Sequence, residues 1–288
     1  MITLRAMHAE DIPEADSFLK AAFGSPDSFA PRLRHFLGIE TGHWLAAEEN
    51  GRPVGSGGLT VMGRVGYIGL IAVDPVEQRR GIATCIMKRL LELADGMGCD
   101  TVLLDASDKG RPIYEKLGFV AEDLVGLWRR DADAGTILRD MRHPGDRAVP
   151  GGRADLDEIA AFDARAWGAD RRAVLASYIS GGPALVALAR ESRGALEGYA
   201  ILQSDIGTLG PWLSREGKAA SALLDWGLEA RGKAPLSAYL PAANEDGARL
   251  LAANGFSLIK TQTHMRLGRA LSPSRRSFVY SQANFALG

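Results

Sequence analysis

Ile71-Ala72-Val73-Asp74-Pro75-Val76-Glu77-Gln78-Arg79-Arg80-Gly81-Ile82-Ala83 is the stretch from which the rest of the chain can be read. The apolar run Val65 to Val73 has the continuity of a strand covered on both faces, and it stops at Asp74-Pro75. From Gly81 the period changes: Ile82, Ile86, Leu90 and Ala94 recur every four residues, with Met87 and Leu91 beside them, which predicts an amphipathic helix ending near Gly96 or Gly98. Gly81 and Ala83 are small where bulk would block an incoming group. The first-turn N–H groups of the helix have no intrahelical partner, and its dipole favours an anion such as pyrophosphate. An ordinary strand-to-helix connection with a convenient glycine would look the same over this short pattern.

Working outward, Ile2 to Arg5 reads as a strand and Ala9 to Ala22 as a helix with one apolar face; a second short helix covers Leu33 to Leu37. Trp44 to Ala47 and Val54 to Val61 are strands joined by an Asn50-Gly51 hairpin turn. After the Gly81 helix come a strand at Thr101 to Asp105, a short helix at Pro112 to Leu117 and a strand at Phe119 to Trp128. The order β-α-α-β-β-β-α-β-α-β makes a mixed α/β fold.

With that order in place, Gln78-Arg79-Arg80-Gly81-Ile82-Ala83 resembles the Q/R-x-x-G-x-G/A loop of the GNAT superfamily of acyl-CoA-dependent N-acetyltransferases, whose element order this is. The segment Ala106 to Phe119, containing Tyr114-Glu115-Lys116-Leu117-Gly118-Phe119, is similar to the family's later helix and its Y-x-x-x-G-F ending. The resemblance implies that Ile71, Ala72 and Val73 hold the pantetheine arm of acetyl-CoA, and that Gln78, Arg79, Arg80, Gly81, Ile82, Ala83 and Thr84 hold its phosphates. The side chains of Arg79 and Arg80 either add charge-assisted contacts or form a solvated face. The resemblance also implies that Tyr114 is the general acid. A phenol titrates near 10, close to a thiol, and so suits protonation of a departing sulfur; the alternative is an aromatic packing residue.

The base is open. Val65 to Val73 contains no carboxylate, which leaves Tyr67, Asp105 or a water chain, and His35, His43 and His264 carry no spacing that selects one of them. Cys85 and Cys99 lack a His/Asp signature, which argues against a covalent thiol mechanism, and no metal spacing is present.

The chain has 288 residues, 46% hydrophobic and 24% charged, a length that favours two domains. Pro75, Gly81 and Ala83 recur as Pro211, Gly217 and Ala219; Gly55 recurs as Gly198, and Gly118-Phe119 as Gly255-Phe256, so a tandem duplication is expected, joined by a Pro- and Gly-rich linker at Arg139 to Gly152. The domains are read as 1–140, catalytic and acetyl-CoA-binding, and 141–288, a degenerate copy that walls the acceptor site or serves as a pseudo-dimer partner. In the second copy Gln78, Arg79, Arg80 and Tyr114 map to Ser214, Arg215, Glu216 and Leu251, which lose the chemistry. The tail Ser272 to Tyr280 is expected to add an edge strand or to cap the second core.

A net charge of −1 gives no field for collecting a polyanion, so nucleic acid is not expected as a partner. No signal-like apolar segment opens the chain, and nine residues is the longest uncharged apolar tract, Val65 to Val73, too short for a membrane span. A cytoplasmic protein, monomeric or homodimeric, follows as the expectation. Its activity is expected to be acetyl transfer to a primary amine of a small molecule, with a non-catalytic acyl-CoA sensor or a protein N-acetyltransferase as alternatives.

Overall fold

A computed structural model of the chain describes residues 1–132, 148–182, 184–271 and 275–288. The first copy runs β1 (Thr3–Ala6), α1 (Ile12–Phe23), α2 (Ala30–Leu37), β2 (Gly42–Glu49), β3 (Arg52–Met62), β4 (Val65–Val73), α3 (Ile82–Gly96), β5 (Thr101–Ala106), α4 (Arg111–Lys116) and β6 (Val120–Arg130). The series repeats as β7 (Val149–Gly151), α5 (Leu156–Trp167), α6 (Arg172–Gly181), β8 (Leu185–Arg190), β9 (Leu196–Gln203), β10 (Thr208–Ser214), α7 (Gly217–Arg231), β11 (Leu236–Pro241), α8 (Glu245–Ala253) and β12 (Ser257–Gly268), with a short β13 (Val279–Ser281) after it. This is the expected mixed α/β fold in two copies. The division at residue 140 and much of the linker fall outside the described residues.

The strands form one sheet in the order β1-β2-β3-β4-β5-β12-β6-β11-β10-β9-β8-β7. The copies exchange their last strands. β12 lies against β5, with Met265 opposite Leu104, and β6 lies against β11, with Leu127 opposite Tyr239. Exchange of an identical element preserves every local pairing while joining the two sheets. Pleat alternation then sorts the side chains by face. Val102 and Leu104 pack with Ile68, Ile86 and Leu90 beneath α3, whereas Leu103 and Tyr67 join a core on the opposite face, built from both copies through Phe18, Leu33, Phe162 and Tyr199.

β4 and β5 pair in parallel only from Val65 with Thr101 to Ile68 with Leu104, and then part while β4 continues to Val73. In the second copy β10 and β11 share the single pair Thr208 and Ser237, and β13 fills the gap, with Trp212 opposite Ser281 and Leu213 opposite Val279. Tyr280 is buried against Trp212 at 5.0 Å between ring centroids. The tail is therefore an interior strand rather than an edge strand or a surface cap; Ser272 to Ser274 lie outside the described residues.

The duplication also aligns differently from the constant offset. Gly118 and Gly255 both adopt positive φ (92° and 78°), and Phe119 N donates to Tyr114 O (3.0 Å) as Phe256 N does to Leu251 O (3.1 Å), so Tyr114 and Leu251 are true counterparts. Pro75 and Pro211 are not. Pro75 opens a turn after β4, whereas Pro211 sits inside β10, where the register with β9 breaks between Leu209 and Trp212, as a residue without an N–H requires. Between strand and helix the first copy has residues 74–81, and the second has only Arg215 and Glu216.

Candidate active site

The divergence of β4 from β5 opens a cavity of about 580 Å³ that passes through the sheet. It begins at a bulge: Gly69 is opposite Gly58 and Ala72 is opposite Ser56, so Leu70 and Ile71 together face Gly57. Leu70 takes φ 50°, a left-handed conformation that a leucine holds only when its surroundings impose it. Asp74 N donates to Val54 O across the β3 side, so by alternation Ile71 and Val73 direct their polar backbone toward the side β5 has left. Gln78 Nε2 donates to Val73 O at 3.2 Å, which ties the following loop to the strand end.

That loop ends in two left-handed residues, Arg79 (φ 64°) and Gly81 (φ 78°). Gly81 is the N-cap of α3 and gives no side-chain cap; the first helical bond is Cys85 N to Gly81 O (3.0 Å), which leaves the N–H groups of Ile82, Ala83 and Thr84 without helical acceptors. A Cβ on Gly81 would meet nothing within 4 Å, so the space before these donors is open. Among the sequence-predicted residues, Ile71, Ala72, Val73, Gln78, Arg79, Gly81, Ile82, Ala83 and Thr84 line the cavity, and Arg80 does not. Its guanidinium takes both carboxylate oxygens of Glu49 at 2.8 Å and also bonds Glu77, and it holds the Glu49 carboxyl down to about 2. Arg80 thus braces the loop, while Arg79 is the arginine of the loop that lines the cavity.

Tyr114 lines the cavity on the α3 face. It is 8% exposed, packs edge-on against Phe119, and burial pushes its phenol up to about 12. Gly110 makes room for it: a Cβ there would stand 3.0 to 3.3 Å from the phenol ring and hydroxyl.

Asp105, one residue past Leu104, points to the opposite face and also lines the cavity. Its buried carboxylate accepts from Gln282 Nε2 (2.8 Å) through Oδ2 and meets His264 Nδ1 (2.7 Å) at Oδ1. Gln282 Nε2 also reaches Tyr67 Oη (3.3 Å), whose phenol is raised well above the ordinary tyrosine range by burial first and by Asp105 second. Three separate sequence candidates, Tyr67, Asp105 and His264, therefore share one network, in which His264 comes from β12 and Gln282 from the tail. His264 also lines a smaller cavity of about 200 Å³ beyond Asp105.

The other candidates lie elsewhere. His35 stacks on Tyr178 (4.2 Å) beside Ser177 Oγ (3.1 Å), outside the cavity, and burial lowers its pKa. His43, Cys85 and Cys99 do not line the cavity either. Among the described residues no cluster of His, Cys, Asp and Glu could hold a metal, and no helix is long and apolar enough to cross a membrane. Phe23 and Arg32 line the cavity from α1 and α2, within the Phe23 to His35 stretch that the sequence offers for acceptor contacts; sequence reasoning missed Lys260 and Asn284 to Ala286, which line it from β12 and the tail. A Cβ on Gly69 would stand 2.4 to 2.6 Å from Ala286 atoms, so the tail packs directly on the bulge.

Residues 9–119 match the profile of the Acetyltransferase (GNAT) family, and residues 159–281 match that of an Acetyltransferase (GNAT) domain. Glucosamine 6-phosphate N-acetyltransferase of Trypanosoma brucei brucei is 39% identical over 98 residues, 32% of this chain and 66% of that protein. Mycothiol acetyltransferase of Clavibacter michiganensis subsp. michiganensis is 29% identical over 245 residues, 75% of this chain and 78% of that protein. A solved structure from Pyrococcus horikoshii superposes on 100% of this chain and 96% of its own, with a TM-score of 0.86 and 25% identity. With both copies matched, the chain belongs to the GNAT superfamily of acetyl-CoA-dependent N-acetyltransferases and carries two GNAT domains in tandem.

Proposed function

We propose that the first domain (1–140) transfers an acetyl group from acetyl-CoA to a primary amine of a small molecule by direct attack, and that the second (141–288) binds no acetyl-CoA and forms the acceptor-side wall. One observation carries this reading: the divergence between β4 and β5 is open, whereas its counterpart between β10 and β11 is filled by β13. The residues present fit acetyl-CoA. The outward backbone of Ile71 and Val73 offers strand-like hydrogen bonds to an extended arm, and the free N–H groups of Ile82 to Thr84, with Arg79 nearby, suit a pyrophosphate.

The two faces divide the proton traffic. On the inner face Asp105, held between His264 and Gln282, takes the proton that the amine gives up as nitrogen bonds to the thioester carbon. On the α3 face Tyr114, protonated at neutral pH, gives its proton to sulfur as the C–S bond breaks. A backbone N–H at the Leu70 bulge stabilises the oxyanion between them. Relatives named for glucosamine 6-phosphate and mycothiol support a small acceptor.

The test is free-thiol release from acetyl-CoA with a panel of small amines and peptides, for wild type and Tyr114→Phe. The substitution is expected to lower kcat by roughly 100-fold or more with an unchanged acetyl-CoA Kd. Acetyl-CoA binding without thiol release from any amine would overturn the reading in favour of a sensor.

A further inference from the structure

On the inner face the cavity carries two cations that make no ion pair with the carboxylates around it. Arg32 projects from α2 of the first copy and Lys260 from β12 of the second, and both line the cavity. Neither forms an ion pair among the described residues. Each is placed by an aromatic ring, Arg32 5.7 Å from the Phe29 centroid and Lys260 5.8 Å from that of Phe285. They are close enough to act on one another: the Lys260 ammonium is held below the ordinary lysine range by desolvation first and by Arg32 second. Two like charges facing one space, neither paired with a carboxylate, are a standing repulsion that an anion would relieve.

Unused donors point the same way. Arg32 Nε is buried without a hydrogen-bond partner, and so is Nδ2 of Asn284, a cavity-lining residue only 4% exposed; Tyr178 Oη approaches that amide without closing a hydrogen bond. A buried donor left unmet costs stability, and a bound acceptor removes that cost. The nearby acids do not serve. Asp27 lines the same cavity and Asp205 lines a small pocket with Arg32 and His35, but neither carboxylate is within ion-pair distance of Arg32 or Lys260. The phosphate cradle at Gly81 is on the other face of the sheet.

We infer that the acceptor amine carries an oxyanion, a phosphate or a carboxylate, and that Arg32 and Lys260 hold it from opposite copies with the amine toward Asp105. This rests on the acetyl-transfer reading above, whose substrate it narrows.

The experiment measures kcat/KM for matched acceptors, glucosamine 6-phosphate against glucosamine and glycine against glycinamide, in wild type, Arg32→Gln and Lys260→Gln. Calorimetry with acetyl-CoA confirms that each variant is folded. The anionic member of at least one pair is expected to exceed its neutral partner roughly tenfold or more, mainly through KM, with the ratio falling toward one in either variant. The pair that discriminates tells phosphate from carboxylate. A ratio near one in wild type, or a preference that survives both substitutions, overturns the inference. A second readout is independent of turnover: line broadening of inorganic phosphate in ³¹P NMR. Broadening that persists in Gly81→Glu but is lost in Arg32→Gln and Lys260→Gln supports the anion site even if no amine releases thiol, an outcome that would sink only the acetyl-transfer reading. Broadening unchanged by both substitutions refutes the site itself.

Discussion

Gly81→Glu tests whether acetyl-CoA sits in the first copy alone. The replacement has room, since a Cβ at Gly81 meets nothing within 4 Å, so the protein around it need not move. The backbone there is at φ 78°, and holding a non-glycine residue in that region costs roughly 1–2 kcal/mol of stability. The larger effect is electrostatic. A carboxylate about 5 Å from each pyrophosphate charge, at an effective dielectric near 20, is repelled by on the order of 3 kcal/mol per charge. Salt and side-chain rotation reduce this, and a net loss of about 3 kcal/mol still weakens binding about 100-fold. Gly217→Glu is the matched control: Gly217 also faces open space, but it starts α7 after a two-residue connection with no cradle, so no change in affinity is expected there. Isothermal titration calorimetry with acetyl-CoA should give one site in wild type and in Gly217→Glu, and none measurable in Gly81→Glu at the same protein concentration. Two sites in wild type, or an undiminished affinity in Gly81→Glu, would refute the asymmetric assignment.

Three further outcomes follow from the same geometry. Asp105→Asn should lower kcat by about 100-fold with a smaller change in KM, and raising the pH should recover part of the loss because solvent then deprotonates the amine; a pH-independent deficit would leave Asp105 a merely structural residue. The Tyr114 phenol, held near 12 in the fold against about 10 in the unfolded chain, favours the neutral form. The stability this contributes is complete below pH 10 and is lost as the pH rises through about 12, so neither Tyr114-dependent turnover nor that stability should fall between pH 8 and 10, and a phenolate absorbance rise in that window assigned to Tyr114 would contradict it. Arg171 is fully buried, donates to both oxygens of Asp163 (2.9 and 2.6 Å) and to Gly288 O (2.6 Å); Arg171→Met strands the Asp163 carboxylate and should cost roughly 3–5 kcal/mol in chemical denaturation, with adding Asp163→Leu recovering much of it.

The first copy was legible because its signals are local. The four-residue period of Ile82 to Ala94, the Asn50-Gly51 turn and the continuous apolar β4 are each decided by near neighbours, and so are the Gly81 loop and Tyr114 with its Gly118-Phe119 ending. What escaped is what depends on distant chain. Asp105 and His264 are 159 positions apart, and only the exchange of β6 and β12 sets them opposite one another. Arg32 and Lys260 stand far apart in the chain, and only the second copy brings them to one cavity. The offset that matched Pro75 to Pro211 failed for a related reason: the second copy has lost most of the strand-to-helix connection, and a proline required by that turn is indistinguishable in sequence from one tolerated at a break in register.

The exchanged strands explain why the copy with the short strand-to-helix connection is still needed by the one with the long connection. Removing β12 would leave β5 with an unpaired edge, Asp105 without its histidine and the cavity without Lys260. The tail couples the two clefts more tightly still. β13 enters the gap between β10 and β11, with Gln282 N just past its end donating to Tyr239 O (2.8 Å), and the side chain of the same Gln282 donates to Asp105 and Tyr67 in the open cleft. Asn284 to Ala286 then line that cleft and press on Gly69. A ligand arm in the second cleft would have to displace β13, and displacing β13 would withdraw Gln282 from Asp105. Filling one slot and completing the other are the same structural event, so on the proposed assignment the second copy's lack of a cofactor slot is a condition of how the first is built.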